Sequence, residues 1–283
     1  MHELKVFETR QPLQEEVDRA RSHGRRIALV PTMGNLHAGH LKLVEKAREQ
    51  AGFVVASIFV NPLQFGPNED FARYPRTLDA DLAALRGAGC DAVFLPSVAT
   101  MYPQGMAVHT TISVPQISTL HCGASRPGHF DGVCTVVCKL FRLVRPDLAV
   151  FGLKDYQQFR IISRMVEDLL LDVELLGVPT VREDSGLALS SRNGYLSAEQ
   201  RQLALALWRN LQAAAAAIRG GRRDFAALEA QAMAALASAG LEPDYFHICD
   251  RESLLPAAAD DAAPVILAAA RVGTTRLIDN ILV

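Results

Sequence analysis

The sequence predicts an α/β protein with a Rossmann-like, doubly wound parallel sheet, followed by a smaller C-terminal α+β domain. Between residues 27 and 178, short apolar runs alternate with helix-patterned segments, which is typical of parallel strands joined by crossover helices. After Tyr195 the order changes to two helices followed by three strand-like runs, which is typical of an α+β domain. The chain of 283 residues is long enough for two domains, and we place them at residues 1–180 and 181–283.

Strands and helices of the first domain are predicted from hydrophobic periodicity. The helix over 78–88 has Thr77 as its predicted N-cap and Gly89 as its C-terminal stop. The segment over 97–131 carries Pro, Gly, Thr and Ser, and we expect it to be irregular and to hold a binding lid or small extra elements. The predicted strands are 27–30, 54–60, 92–95, 148–151 and 173–178, and the predicted helices are 40–50, 78–88, 133–144 and 157–171.

Elements of the second domain are predicted from capping and turn residues. Ser197 and Gln200 have the spacing of a capping box and begin an Ala-rich helix that runs to about residue 219. Gly220 and Gly221 end that helix, and Asp224 is the predicted N-cap of a second helix that ends at residue 240. The predicted strands that follow are 245–249, 265–270 and 275–281.

The composition is that of a globular protein and disfavours several function classes. Hydrophobic residues make up 49% of the chain and charged residues 21%. Lys+Arg number 29 and Asp+Glu 31, and the resulting net charge of −2 argues against bulk binding of nucleic acid. No apolar run reaches the roughly 18 residues of a membrane span, and the first residues lack the apolar core of a signal peptide. Five scattered cysteines do not suggest a disulfide framework. We therefore expect a cytoplasmic protein without nucleic-acid or membrane partners.

The segment from Leu29 to His40, Leu-Val-Pro-Thr-Met-Gly-Asn-Leu-His-Ala-Gly-His, predicts a phosphate site. It passes from a strand through a glycine-containing turn to a helix start, where backbone N–H groups and the helix dipole favour an anion. His37 and His40 are three residues apart, so on the first helical turn they face the same way. An alternative interpretation is a turn with two surface histidines. A metal site is disfavoured because no third ligand is spaced nearby.

Two further segments follow predicted strands, and ligands of doubly wound sheets bind at the carboxyl ends of strands. Asn61 and Gln64 follow the strand over 54–60, and their amides suit hydroxyl and carboxylate recognition. Ordinary turn chemistry is the alternative for these two residues. Lys154 and Asp155 follow the strand over 148–151, where the ammonium group suits a triphosphate. Here the alternative is a solvated Lys–Asp pair.

A second cationic segment lies far downstream, at Ser190-Ser191-Arg192. Two hydroxyl groups and a guanidinium in sequence form a compact anion clamp. Gln158 lies one helical turn beyond Lys154, so we expect it to face the same pocket.

The His-x-Gly-His turn resembles the signature of the HIGH-type nucleotidyltransferase superfamily, and Ser190–Arg192 resembles the phosphate-binding Lys-Met-Ser-Lys-Ser loop of the same superfamily. Over essentially the whole chain, an ordered set of motifs resembles the pantothenate synthetase (pantoate–β-alanine ligase) family. These motifs are Pro-Thr-Met-Gly-x-Leu-His-x-Gly-His, Asn-Pro-x-Gln-Phe-Gly, Tyr74-Pro75-Arg76-Thr77, His129-Phe130-Asp131-Gly132-Val133, Lys154-Asp155-Tyr156-Gln157-Gln158, Ser190-Ser191-Arg192-Asn193 and Thr275-Arg276-Leu277-Ile278-Asp279-Asn280.

The resemblance implies an AMP-forming ligase that condenses pantoate with β-alanine through a pantoyl adenylate, with ATP as co-substrate and Mg²⁺. It implies a homodimer, a nucleotide- and pantoate-binding domain over 1–180 and a lid domain over 181–283. No residue is predicted as a metal ligand. Predicted catalytic residues are His37, His40, Lys154 and Arg192. Predicted nucleotide contacts are Met33, Gly34, Asn35, Leu36, His37, Ala38, Gly39, His40, Gly152, Leu153, Lys154, Asp155, Val181, Leu189, Ser190, Ser191 and Arg192. Predicted substrate contacts are Asn61, Gln64 and Gln158, and Arg126 and His129 are expected to help close the pocket.

This chain departs from the family pattern at four positions. The family usually has Ala and Glu where this chain has Asn35 and Ala38, and Glu and Met where it has Leu153 and Leu189. These positions mostly present backbone, so we expect activity to be retained, with Leu153 the substitution most relevant to nucleotide binding. Two alternatives stay open at this point. One is another HIGH-type nucleotidyltransferase that acts on a phosphorylated acceptor, and the other is a catalytically silent nucleotide sensor.

Overall fold

The computed structural model describes residues 3–67, 69–261 and 263–283, which fold into two compact units. The first unit comprises the chain up to Thr119 together with Gly123–Leu153 and Gln158–Pro179. The second comprises Leu120–Cys122, Lys154–Gln157 and Thr180–Val283. Two short segments that precede residue 180 in the sequence, and that we expected in the first domain, therefore belong to the second unit.

The first unit contains a six-stranded, wholly parallel sheet in the spatial order β1-β4-β3-β2-β5-β6. Its strands are β1 (Lys5–Phe7), β2 (Ile27–Thr32), β3 (Phe53–Ile58), β4 (Ala92–Phe94), β5 (Leu148–Gly152) and β6 (Glu174–Val178). The predicted parallel, doubly wound sheet is confirmed, and β1 is an additional edge strand. The strand order reverses between β2 and β5. These strands pair only at Ala28–Leu148 and Leu29–Ala149, whereas β2 and β3 pair along six residues. A crevice for ligands is expected at such a switch point.

Helices connect these strands, and one of them was not predicted. The helices are α1 (Arg10–Ser22), α2 (Ala38–Gln50), α3 (Leu78–Gly87), α4 (Val98–Met101), α5 (Cys122–Ser125), α6 (His129–Val144) and α7 (Tyr156–Asp168). The helix α1 was missed. The segment over 97–131 holds small extra elements, as expected, namely the four-residue helices α4 and α5. The helix α6 begins at His129, four residues earlier than predicted. The first residues of α5 and α7 belong to the second unit.

The core of the first unit explains why its central strands read as continuous apolar runs. Residues 27–30 of β2 and 54–56 of β3 are completely buried, as expected when helices cover both faces of a parallel sheet. On one face, Ala28 and Val30 join a cluster with Val44 of α2 and Leu85 of α3. The alternate residues of β2 point to the other face, and α1 and α6, which pack together, also contact β2.

The second unit combines two helices with a three-stranded antiparallel sheet, as predicted. Its elements are α8 (Ala198–Arg219), α9 (Phe225–Ser238), β7 (Glu242–Cys249), β8 (Val265–Val272) and β9 (Thr275–Leu282), with the strands in the order β7-β8-β9. The capping box of Ser197 and Gln200 is present, and Asp224 accepts a hydrogen bond from the Ala227 N–H. Both helices contact the sheet, and their apolar residues share one core with it. In the described part of the chain, no helix combines the length and apolarity needed to cross a membrane.

Candidate active site

The turn that joins β2 to α2 has a backbone conformation that requires small or tolerant residues. Gly34 has φ of +81° and Asn35 has φ of +49°, so two successive residues lie in the left-handed region. A Cβ atom on Gly34 would lie 3.0 Å from Asp81 Oδ2 and 3.1 Å from Ile58 Cγ2. Asn35 is of a residue type that tolerates the left-handed conformation better than most other residues do.

Asp81 of α3 holds this turn in place. Its Oδ2 accepts the Asn35 N–H at 2.9 Å, and its Oδ1 accepts the Leu36 N–H at 2.8 Å. The hydroxyl of Thr77 also donates to Oδ1, at 3.2 Å. Thr77 is the N-cap residue of α3, as predicted, but its side chain makes no cap hydrogen bond, because its hydroxyl donates to the Asp81 carboxylate instead. Asp81 is buried, and sequence analysis did not single it out.

His37 and His40 cap α2 reciprocally, as a capping box built from two histidines. The Gly39 N–H donates to His37 Nδ1 at 3.1 Å, and the His37 N–H donates to His40 Nδ1 at 3.3 Å. Because both Nδ1 atoms accept, each neutral imidazole carries its proton on Nε2. The two rings lie with their centroids 4.1 Å apart. Each imidazole therefore carries an Nε2–H donor at the start of α2, where backbone N–H groups and the helix dipole favour an anion.

Asn61 and Gln64 lie in the 3-10 turn that follows β3. Asn61 is completely buried, and its Nδ2 donates to the Gly132 carbonyl at 3.0 Å and to Gln64 Oε1 at 3.3 Å. Its Oδ1 accepts the Tyr102 hydroxyl at 2.7 Å, and burial raises the pKa of Tyr102 to about 12, which keeps this donor protonated. Gln64 Nε2 lies 2.9 Å from Met33 Sδ. Asn61 therefore orients Gln64, and Gln64 reaches the β2–α2 turn.

The first turn of α6 packs tightly against this 3-10 turn. A Cβ atom on Gly132 would lie 2.4 Å from the Leu63 carbonyl oxygen, so only glycine permits this approach. Arg126 donates to His129 Nε2 at 2.9 Å, which places the His129 proton on Nδ1, and Nδ1 lies 2.8 Å from the Gln64 carbonyl oxygen. Arg126 also forms a bidentate pair with Glu69, at 2.6 and 2.5 Å. Arg126 and His129 thus brace Gln64 through its backbone.

The strand β5 ends at Gly152 and is followed by Leu153, while Gln158 lies in α7, in the same unit. Gly152 has no atom within 4 Å of its Cβ position, so the backbone there is open to approach. The side chain of Leu153 packs on β6, since a Cβ atom on Gly177 would lie 2.6 Å from Leu153 Cδ2. Glycine at position 177 therefore makes room for the Leu153 side chain.

In the second unit, Lys154 is held through its backbone by the last strand. Asn280 Nδ2 of β9 donates to the Lys154 carbonyl at 2.8 Å. The ammonium group of Lys154 lies 4.0 Å from Asp155 Oδ2, and the Lys154 side chain is 19% exposed. At this distance the Lys154 ammonium and the Asp155 carboxylate form only a weak ion pair.

Val181 and Leu189 lie on opposite sides of a short hairpin, where the Leu189 N–H donates to the Val181 carbonyl at 3.0 Å. Arg182 anchors this hairpin to β9, because its guanidinium forms a bidentate pair with Asp279 at 2.6 and 2.8 Å. The guanidinium also stacks on Trp208 at 3.4 Å. Arg182 and Asp279 are both largely buried, and such pairs fix geometry.

The hairpin leads directly into the serine-arginine segment. Ser190 Oγ accepts the Arg192 N–H at 3.3 Å and so caps the 3-10 turn Ser191–Tyr195. The Asn193 side chain donates to the Ala188 carbonyl at 3.0 Å, which ties this turn back to the hairpin. The adjacent Asn280 and Asp279 of β9 thus support both the Lys154 loop and the hairpin that precedes Ser190–Arg192.

The predicted site residues are divided between the two units. The first unit contains Met33, Gly34, Asn35, Leu36, His37, Ala38, Gly39, His40, Asn61, Gln64, Gly152, Leu153 and Gln158, and the second contains Lys154, Asp155, Val181, Leu189, Ser190, Ser191 and Arg192. Sequence analysis assigned no site role to Asp81, Arg182 or Asp279, and it treated Thr77 only as an N-cap and as part of a motif. The closing motif that contains Asp279 was the available signal for one of them.

Comparison with known proteins identifies the family. The family model described as pantoate-beta-alanine ligase matches residues 5–282. The chain belongs to the pantoate–β-alanine ligase family. It is 58% identical over 278 residues to a pantothenate synthetase of Pseudomonas putida (strain GB-1), covering 98% of this chain and 97% of that protein. It is 57% identical over 276 residues to the pantothenate synthetase of Azotobacter vinelandii, covering 98% of each.

Solved structures of the family have the same fold. The crystal structure of pantothenate synthetase from Thermus thermophilus superposes with a TM-score of 0.92 at 47% identity, over 98% of both chains. A pantoate-beta-alanine ligase from Francisella tularensis, complexed with beta-gamma ATP and beta-alanine, superposes with a TM-score of 0.81 at 32% identity, over 99% of this chain and 98% of that one. The predicted fold class and family are therefore confirmed.

Proposed function

We propose that this chain joins pantoate to β-alanine at the expense of ATP, with a pantoyl adenylate as the intermediate and AMP and pyrophosphate as products. The observation that carries this proposal is the reciprocal histidine cap, which directs two Nε2–H donors from a helix start. A carboxylate has no leaving group, so ATP must first convert it into an acyl adenylate before an amine can displace AMP.

In the first step, a pantoate carboxylate oxygen attacks the α-phosphorus of ATP and forms a P–O bond. The bond from the α-phosphorus to the bridging oxygen breaks, and pyrophosphate leaves with the electron pair. Negative charge increases on the phosphoryl oxygens in the transition state, and preorganised donors stabilise it there. We assign this role to His37 and His40, which donate as neutral imidazoles because both Nδ1 atoms accept backbone N–H groups.

The β- and γ-phosphates require cations and hydroxyl donors, which the second unit supplies. We assign Lys154, Ser190, Ser191 and Arg192 to these phosphates, since ammonium, guanidinium and hydroxyl groups all donate to phosphate oxygens. Mg²⁺ enters with ATP as part of the substrate, bound to the triphosphate oxygens that it prefers. We assign the adenosine end of the nucleotide to backbone and side chains at Met33, Gly152, Asp155, Val181 and the β2–α2 turn.

Pantoate recognition is assigned to Gln64 and Gln158, whose amides suit its hydroxyl groups. The place of Asn61 in this scheme is indirect. Its side chain is completely buried and bonded to Gly132, Gln64 and Tyr102. We therefore propose that Asn61 supports the substrate contact made by Gln64, with Arg126 and His129 bracing the same turn from its backbone.

In the second step, the amine of β-alanine attacks the acyl carbon, AMP leaves, and the new amide nitrogen loses a proton. No covalent intermediate with the protein is required, so the task of the residues is positioning and charge stabilisation. We further propose, from the family resemblance, that the protein is a homodimer in the cytoplasm and that its C-terminal domain acts as a lid. The five cysteines are all unpaired thiols, as a reducing compartment requires.

Product analysis tests the proposal against the rival nucleotidyltransferase activity. Purified protein is incubated with ATP, Mg²⁺, pantoate and β-alanine, and the products are separated by chromatography. We expect equal amounts of pantothenate, free AMP and pyrophosphate, and no AMP until both pantoate and β-alanine are present. A final product that still carries AMP covalently after many turnovers with both pantoate and β-alanine present would contradict the proposed ligation.

A further inference from the structure

The turn before His37 has a backbone conformation that few residue types adopt. Gly34 and Asn35 both have positive φ, at +81° and +49°; glycine adopts this region freely, and asparagine does so more readily than most other residues. The turn determines where α2 begins, because Leu36 immediately precedes the N-cap residue His37. A contact from outside the turn adds to this local preference and further selects the conformation.

The buried carboxylate of Asp81 supplies that contact. Its two oxygens accept the successive N–H groups of Asn35 and Leu36, at 2.9 and 2.8 Å. Thr77, one helical turn earlier, donates to the same carboxylate at 3.2 Å and orients it. Asp81 is 3% exposed, so water does not replace these bonds. The Cβ position of Gly34 lies 3.0 Å from Asp81 Oδ2, which shows how closely the turn is seated on the carboxylate.

We propose that Asp81 is a positioning residue that fixes the β2–α2 turn and thereby aims the Nε2–H groups of His37 and His40. This inference rests on the proposed function. Asp81 fixes the backbone up to Leu36, the next residue caps α2, and the His37 N–H then donates to His40 Nδ1. Asp81 thus acts through backbone on two imidazoles that it does not touch. Only an acceptor with two oxygens satisfies both N–H groups, so asparagine at position 81 leaves one of them facing an amide NH₂.

The experiment compares Asp81→Asn with Asp79→Asn, an exposed acid in the first turn of the same helix. Pantoate-dependent exchange of pyrophosphate into ATP is measured with kcat and KM separated. For Asp81→Asn we expect kcat to fall about 100-fold, the scale of a misplacement near 1 Å, while KM for pantoate changes less than about threefold. Asp79→Asn should retain wild-type values. An exchange rate within about threefold of wild type for folded Asp81→Asn would overturn the proposal.

A second readout does not depend on turnover. In ¹⁵N-histidine spectra of the wild-type protein, His37 and His40 should each show an accepting Nδ1 and a protonated Nε2. In Asp81→Asn these two signals should shift toward mixed tautomers, while that of the exposed residue His23 stays unchanged. Unchanged His37 and His40 signals would overturn the proposal. If the wild-type protein itself shows no exchange, the proposed function is contradicted. The histidine spectra then test the positioning role of Asp81 on their own.

Thr77→Val gives a milder perturbation, should Asp81→Asn fail to fold. It keeps the carboxylate and removes the hydroxyl that orients it. We expect kcat to fall about 2- to 10-fold, in proportion to one hydrogen bond, together with a smaller shift of the same two histidine signals. Wild-type kcat and unchanged signals in Thr77→Val would count against the proposed chain of contacts.

Discussion

At the scale of single residues, the protonation state of two imidazoles determines which hydrogen bonds the start of α2 can donate to a ligand. His37 and His40 accept backbone N–H groups through Nδ1, so protonating either Nδ1 would break the cap that orients it. We infer that both residues donate to phosphate as neutral imidazoles and that the positive charge for the triphosphate comes from Lys154 and Arg192. This division agrees with a helix start that already carries a partial positive charge.

Replacing one imidazole tests this role. His40→Ala should lower the rate of pantoate-dependent exchange by roughly two to three orders of magnitude, the usual scale for one preorganised donor. The matched control is His23→Ala, because His23 is an exposed histidine at the C-terminus of α1 and should have no effect. A loss below about tenfold in a folded His40→Ala protein would remove His40 from the phosphate role.

The sequence predicted the residues with a recognisable pattern, such as His37, His40 and Ser190–Arg192, because each belongs to a short motif. It did not predict Asp81, which lies 46 positions from Asn35 in the chain. An acid in the first turn of a helix is ordinarily explained by the helix dipole. Only the tertiary structure shows that the Asp81 carboxylate binds a different element, and the same holds for the pair of Arg182 and Asp279.

At the scale of elements, the alternation of apolar runs with helix-patterned segments predicted the sheet of the first unit. The inner strands appear as continuous apolar runs because they are buried on both faces. The alternation did not predict β1 or α1. The strand β1 has only three residues, and α1 buries Leu13, Val17 and Ala20 among many charged residues, so neither gives a strong periodic signal. The early start of α6 was missed because its first turn contains Gly132, which is a weak helix former.

Gly132 has a packing role that substitution tests. Gly132→Ala should destabilise the protein by about 1–3 kcal/mol, the usual cost of overpacking, since the new Cβ would lie 2.4 Å from the Leu63 carbonyl oxygen. Displacement of the neighbouring Gln64 should also raise KM for pantoate more than KM for ATP. Urea unfolding and steady-state kinetics measure the two effects.

The control for this substitution is Gly87→Ala in the last turn of α3. Gly87 is exposed, and its Cβ position has nothing within 4 Å. Alanine there should stabilise the protein by roughly 0.5–1 kcal/mol through lower backbone entropy. Equal urea midpoints for Gly132→Ala and the wild type would contradict the packing argument.

We expect the stability of the second unit to depend on pH through His121, a partly buried histidine beside β7. His121 Nε2 lies 2.9 Å from the Leu254 carbonyl oxygen, so it donates, and His121 Nδ1 accepts from His247 Nδ1 at 2.8 Å. Desolvation by burial, together with the neighbouring His247, lowers the pKa of His121 below its usual 6.5, while the bond to the Leu254 carbonyl opposes this shift. The folded state therefore binds this proton less readily than the unfolded state does.

The sign of the pH dependence follows from this difference in proton binding. The contribution of neutral His121 to stability should be fully present above pH 6.5, the unfolded value, and should be lost as pH falls below it. Urea unfolding between pH 8 and pH 5 measures this loss. His121→Gln should flatten the dependence relative to wild type, whereas the exposed-residue control His23→Gln should keep it. Identical slopes for wild type and His121→Gln would contradict this assignment.

At the scale of the whole molecule, the assigned nucleotide contacts are divided between two compact units. The sequence predicted two domains because the order of elements changes after Tyr195, and we placed the boundary near residue 180. It could not predict that Leu120–Cys122 and Lys154–Gln157 belong to the second unit, since these segments are separated from it in the chain. Their bonds explain the assignment: Gln157 donates to the Leu120 carbonyl, and Asn280 donates to the Lys154 carbonyl. The lid role of the C-terminal domain stays a prediction.

The measurement that tests the central claim most directly is the exchange of labelled pyrophosphate into ATP in the absence of β-alanine. If pantoate is activated as an adenylate, the first step is reversible, and label should enter ATP only when pantoate and Mg²⁺ are both present. Omitting either one should abolish the exchange. Folded protein that binds ATP but gives no exchange with pantoate and Mg²⁺, or that exchanges equally well without pantoate, would contradict the account.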